Sequence, residues 1–122
     1  AALEGGLVAW HAQLAPLLDN AGKGRYEVAL GPVMADLTES WAKAWVESHT
    51  NASKEAANRA AAAWMFRVLS LHWRQALRGR GEPEANLRRL DAIREAEREA
   101  HANVNPLFVF EKLSSEFAAA GA

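Results

Sequence analysis

The segment Asn103-Val104-Asn105-Pro106 separates a charged, helix-forming stretch from the apolar run Leu-Phe-Val-Phe at residues 107–110. The side-chain oxygen of Asn105 can cap a helix, and Pro106 suits the first helical position, where a missing N–H costs nothing. Asn103 stands where the preceding helix ends, and asparagine tolerates the left-handed backbone that is common there. The segment therefore predicts a tight corner between two antiparallel helices.

Apolar residues recur at intervals of three and four along nearly the whole chain, and no stretch alternates in the way of a half-buried strand. This pattern predicts an all-α fold, a single five-helix bundle. Pro16 is expected to kink or end the first helix, and Gly31-Pro32 to kink or begin the second. Residues 19–24 read as a loop. The helices are expected at roughly residues 6–18, 31–49, 54–78, 83–102 and 106–117.

Length and composition limit what the chain can be. A chain of 122 residues forms one domain with a single core, and a net charge of −1 gives no general attraction to nucleic acid or acidic lipid. Without cysteine, disulfides and cysteine zinc sites are excluded. No apolar run approaches the roughly 20 residues that span a membrane. We expect a cytoplasmic protein, and because residues 1–6 lack an initiator Met and a signal-peptide pattern, residues 1–122 are expected to be a piece of a longer chain.

Large apolar side chains at helical spacing indicate which faces are buried. Trp41, Trp45 and Trp64 fall on such faces, so core packing is favoured over a ligand-lined pocket for the tryptophans. A tryptophan left at the surface would suit contact with another subunit. In the fourth helix the buried stripe is expected to consist of Leu87, Leu90, Ile93, Ala96, Ala100 and Val104.

The polar stripe of the third helix is the candidate contact surface. Arg59, Arg67, Ser70, Arg74 and Arg78 recur there at helical spacing. A solvated edge is the first interpretation, subunit contact the second and DNA binding the third, because the stripe has no interleaved aromatic residues. Arg67, Arg74 and Arg78 are the predicted subunit contacts.

No catalytic or cofactor site is expected. The four histidines have no mutual spacing of three or four residues, which favours scattered surface or helix-end positions over metal ligation. The Gly22-Lys23-Gly24 sequence lacks the other residues of a phosphate-binding loop. Carboxylate pairs for acid–base chemistry are also missing.

The last third of the chain resembles a known family. The charged helix through residues 87–96, the sequence His-Ala-Asn-Val-Asn-Pro at 101–106 and the apolar helix at 107–117 carry this resemblance. They resemble the carboxy-terminal end of the delta-prime subunit of the bacterial DNA polymerase III clamp loader, in which a helix closes with an Asn-x-Asn-Pro corner. The upstream helices agree only in kind, so a gamma/tau-like relative is also open.

The resemblance implies a helical collar domain that joins clamp-loader subunits, with an AAA+ module upstream in the parent chain. The partners would be other clamp-loader subunits, and the role would be sliding-clamp loading in DNA replication. The parent complex would have the ATPase and DNA polymerase activities, and this domain would be non-catalytic, without a cofactor and without direct contact to nucleic acid. The alternative is a helical ligand-binding or regulatory domain with a tryptophan-lined pocket.

Overall fold

The computed structural model describes residues 2–79, 82–102 and 105–121, with side chains from residue 6 onward. These residues form five α-helices and no strand, so the expected all-α five-helix fold is confirmed. None of these helices is both long enough and apolar enough to cross a membrane. The helices are α1 (Ala2–Gly22), α2 (Leu30–Ser48), α3 (Lys54–Arg78), α4 (Pro83–His101) and α5 (Pro106–Ala120).

Local start signals place three of the helices. The Ser53 side chain accepts a hydrogen bond of 3.2 Å from the Ala56 backbone N–H and caps α3. Pro83 and Pro106 occupy the first positions of α4 and α5, where no backbone donor is lost. The observed starts of these helices therefore follow from single residues in the sequence.

The first helix is longer than the sequence indicates. It continues through Pro16 and ends at Gly22, so the expected end at residue 18 and the expected loop at 19–22 are wrong. Leu14, Leu18 and Ala21 lie on both sides of the proline and are fully buried. Their burial favours an unbroken helix over the early end that the proline alone suggests.

A close approach between helices explains the glycine at the start of α2. A Cβ atom on Gly31 would lie 2.8 Å from Cγ and 3.0 Å from Cα of Glu111. These distances are shorter than carbon–carbon contacts allow. Only glycine therefore lets the first turn of α2 pack this closely on α5.

The helices surround one main core. The second to fifth helices form a ring in which each packs on two neighbours, and α1 packs across α2, α3 and α5. Phe66 and Phe110 contact each other across the α3–α5 space, with ring centroids 5.8 Å apart. Trp73 meets Phe117 at 5.2 Å in an edge-to-face arrangement.

The two last helices run antiparallel. Near one end of the pair, Arg88 donates a hydrogen bond of 2.9 Å to the Ala120 carbonyl. Toward the other end, Lys112 donates one of 2.7 Å to Glu99. This pairing places the beginning of α4 beside the end of α5, where Arg89 donates a hydrogen bond to the Phe117 carbonyl.

Candidate functional site

The structure joins two of the three predicted contact arginines in one groove. Arg67, Arg74 and Arg78 are all exposed, which agrees with their expected position on the polar stripe of α3. Arg67 and Arg74 line a groove of about 460 Å³, whereas Arg78 lies outside it in the last turn of the helix. We call this surface the α3 groove; it is lined by Ala63, Trp64, Phe66, Arg67, Ser70, Leu71, Arg74 and Glu97.

The α3 groove combines charge with apolar surface. Leu71 is 48% exposed and stands between Arg67 and Arg74 in the sequence of the helix. Trp64 is half-buried and adds aromatic surface to the groove. Arginine and tryptophan are enriched where proteins bind one another. The groove therefore combines residue types that are common at protein contacts.

The corner between α4 and α5 is a helix start with an exposed apolar flank. The side-chain oxygen of Asn105 accepts a hydrogen bond of 2.9 Å from the Leu107 N–H, and Pro106 follows as the first helical residue. Phe108, two residues further on, is 66% exposed. Asn103 lies outside the described residues.

The tryptophans are distributed differently from the expectation. Trp10 and Trp73 are buried, and Trp41 and Trp64 are half-buried, but Trp45 is 41% exposed, so its assignment to the core is wrong. Trp45 stacks on Trp41 with centroids 5.3 Å apart and on His49 with centroids 3.6 Å apart. These rings follow one another every four residues along α2, which is helical spacing without burial.

Sequence reasoning missed a buried arginine. Arg89 is 2% exposed and Asn86 is 1% exposed, while Leu87, expected in the buried stripe of α4, is 53% exposed. The buried face of α4 therefore includes residues 86 and 89 and does not include residue 87, in contrast to the expected stripe. Here the last-turn carbonyl groups of α1 and α5, those of Ala21 and Phe117, lie within hydrogen-bond distance of Arg89.

Arg89 supplies these donors. Its Nε donates to the Phe117 carbonyl at 2.9 Å, and its Nη2 to the Ala21 carbonyl at 3.3 Å. Its Nη1 donates to Oδ1 of Asn86 at 2.7 Å. The guanidinium also lies 4.6 Å from the Trp73 ring centroid, a cation–π distance. Burial, together with the charge of Arg88, lowers the pKa of Arg89, although the group remains a cation.

A histidine pair adjoins this cluster. Nε2 of His11 lies 3.0 Å from Nδ1 of His72, and Nε2 of His72 lies 3.8 Å from a carboxylate oxygen of Asp19. His72 also meets Trp73 edge-on at 4.7 Å. Burial and the neighbouring His11 lower the pKa of His72. The expectation of four scattered histidines is thus wrong for this pair.

The described residues contain no group of three side chains suited to hold a metal ion. Two residues of the Arg89 cluster keep unused donors, since Nε1 of Trp73 and Nδ2 of Asn86 are buried without a partner among the described residues. No protein family, curated protein or solved structure matches this chain.

Proposed function

We propose that this domain is a non-catalytic subunit-assembly module, the helical collar of a delta-prime-type subunit of a DNA polymerase III clamp loader. The resemblance of residues 87–117 to the end of that subunit supports the proposal, as does the use of Asn105 and Pro106 as a helix start. In this proposal the domain works in the cytoplasm without a cofactor of its own. Its partners are the other clamp-loader subunits, and it does not contact DNA.

The α3 groove carries the proposal. The exposed Leu71 is flanked by Arg67 and Arg74, and neither arginine has an ion-pair partner within 4.0 Å among the described residues. An apolar centre with uncommitted guanidinium groups suits an acidic, partly apolar helix of a neighbouring subunit. The function is positional, because a fixed collar would hold upstream ATPase modules in order around a sliding clamp.

The experiment uses the full-length parent chain co-expressed with its candidate loader subunits. The double variant Arg67→Glu/Arg74→Glu reverses the charge of the groove, and Leu71→Ser removes its apolar centre. We expect both variants to lose subunits from the purified complex while the melting temperature of the 122-residue domain stays within a few degrees of wild type. Exposed side chains of this kind contribute little to stability, typically within about 0.5 kcal/mol.

A matched control distinguishes the groove from general surface charge. Arg25→Glu makes the same type of charge change in the exposed loop between α1 and α2, away from the groove. The control is expected to assemble normally. If the complex forms with residues 1–122 deleted, the assembly proposal is wrong. If this deletion abolishes assembly but the groove variants assemble normally, the groove is not the contact surface.

A further inference from the structure

A polar cleft lies where the ends of four helices meet. It has a volume of about 380 Å³ and is separate from the α3 groove. Its wall includes the buried side chains of Trp73, Asn86 and Arg89, and its exposed rim includes Lys23 and Glu82. We call it the Arg89 cleft; it is lined by Asp19, Gly22, Lys23, His72, Trp73, Ala76, Glu82, Ala85, Asn86, Arg89 and Gly121.

The buried wall of the cleft has more donors than acceptors. Trp73 and Asn86 are 2% and 1% exposed, and each has a buried N–H group without a partner among the described residues. Arg89 has five N–H groups, of which three are used by Phe117, Asn86 and Ala21. Buried donors are nearly always satisfied in native proteins, so these groups indicate an acceptor that binds here.

The charge of the cleft indicates what kind of acceptor fits. Within the described part of the chain, no carboxylate comes within 4.0 Å of Arg89, whose partners are neutral oxygens. The acids of the cleft are at its rim, where Asp19 is 65% exposed and Glu82 is exposed, so solvent weakens their repulsion of an anion beside Arg89 without removing it. A buried cation favours an anion, and the two rim carboxylates disfavour a second negative charge.

We propose that the Arg89 cleft binds a small carboxylate monoanion, whose oxygens accept hydrogen bonds from Arg89, from Nδ2 of Asn86 and from Nε1 of Trp73. A carboxylate has two acceptor oxygens in the spacing that a guanidinium fork matches. The unused N–H groups of Trp73 and Asn86 are buried, so side chains that line the cleft must shift for the ligand to reach them. This binding site is independent of the collar proposal.

The test is a titration of the 122-residue chain with sodium acetate at pH 7.5, with sodium chloride replaced to keep the ionic strength constant. Trp73 reports on the cleft because its ring contacts the Arg89 guanidinium. We expect a saturable change in tryptophan emission and a melting temperature that rises with acetate concentration. Sodium phosphate at the same ionic strength, mostly a dianion at this pH, is expected to give a smaller rise.

The variant Asn86→Asp provides a carboxylate inside the protein, because the Asn86 oxygen already lies 2.7 Å from Nη1 of Arg89. We expect it to melt at or above the wild-type temperature without acetate and to lose at least tenfold in acetate affinity. Trp73→Phe keeps an aromatic ring beside Arg89 but removes the Nε1 donor. We expect a several-fold loss in acetate affinity, measured from the melting temperature. Arg98→Gln, an exposed change on α4 outside the cleft, serves as the control.

Three results would overturn the proposal. One is a wild-type chain whose emission and melting temperature respond to acetate no more than to chloride. Another is a rise in melting temperature with phosphate that exceeds the rise with acetate. The third is an Asn86→Asp variant that folds and still binds acetate with wild-type affinity; if that variant does not fold, unchanged affinity of Trp73→Phe has the same meaning.

Discussion

Replacing Arg89 by methionine removes the guanidinium that joins three helices while keeping a long apolar side chain. Two short hydrogen bonds are lost, to the Phe117 carbonyl at 2.9 Å and to Asn86 at 2.7 Å, and a weaker one to Ala21 at 3.3 Å. A hydrogen bond from a charged group contributes about 1.5–3 kcal/mol, so the two short bonds amount to roughly 3–6 kcal/mol. Relief from burying the cation offsets part of this loss. We expect a net destabilisation of about 2–4 kcal/mol.

Urea unfolding followed by circular dichroism and tryptophan fluorescence measures this change. With a slope of about 2 kcal/mol per molar urea, the midpoint should fall by about 1–2 M. Arg88→Met is the matched control, because the neighbouring arginine has one hydrogen bond, to the exposed Ala120 carbonyl. Its midpoint should move by about 0.5 M or less. Equal midpoints for the two variants would refute the reasoning that burial and helix-end carbonyls make Arg89 important.

Gly31→Ala should destabilise the chain by about 1–2 kcal/mol in the same urea assay, since overpacking against α5 exceeds the gain in helix propensity; Gly6→Ala, with nothing within 4 Å of the added Cβ, should be neutral or stabilising. A lower free energy of unfolding for the Gly6 variant than for the Gly31 variant would contradict the packing argument. Folding lowers the pKa of His72 below its unfolded value of 6.5, so the folded state favours the neutral side chain. The free energy of unfolding should therefore keep the full contribution of His72 above about pH 6.5 and decrease as the pH falls through the folded pKa. Urea midpoints from pH 7.5 to 5.5 measure this decrease, and an equally steep decrease in His72→Asn would rule His72 out. Trp45→Phe should remove the fraction of emission most accessible to acrylamide, because Trp45 is 41% exposed while Trp10 is 6% exposed; unchanged quenching would place Trp45 in the interior.

Much of the fold is predictable because its signals are local. Ser53 caps α3 through a bond to an N–H three residues away, and Pro106 begins α5 beside its own cap, Asn105. Such interactions need no knowledge of the rest of the protein. The length of α1 is different, because continuation through Pro16 depends on the burial of Leu18 against other helices. Tertiary packing therefore overrides a local signal at that position.

The burial and the partners of Arg89 are features that residue spacing alone does not predict. Arg88 and Arg89 are adjacent and chemically equal, and only the direction of α4 decides which one is buried. Two of the three partners of Arg89 are backbone carbonyls, 28 and 68 positions away in the sequence, and every residue type has a carbonyl. The pairing of His11 with His72 also crosses 61 positions. The exposed stripe of Arg67 and Arg74, in contrast, follows directly from helical periodicity.

The bonds of Arg89 also affect how the chain unfolds. End helices usually fray before the rest of a bundle, and their amide protons exchange with solvent at low protection. Here one side chain of α4 binds the last turns of both the first and the last helix, at Ala21 and Phe117. Release of either end therefore weakens the attachment of the other. Amide hydrogens near residues 18–21 and 114–117 should accordingly exchange together with those of the central helices, as a single cooperative unit.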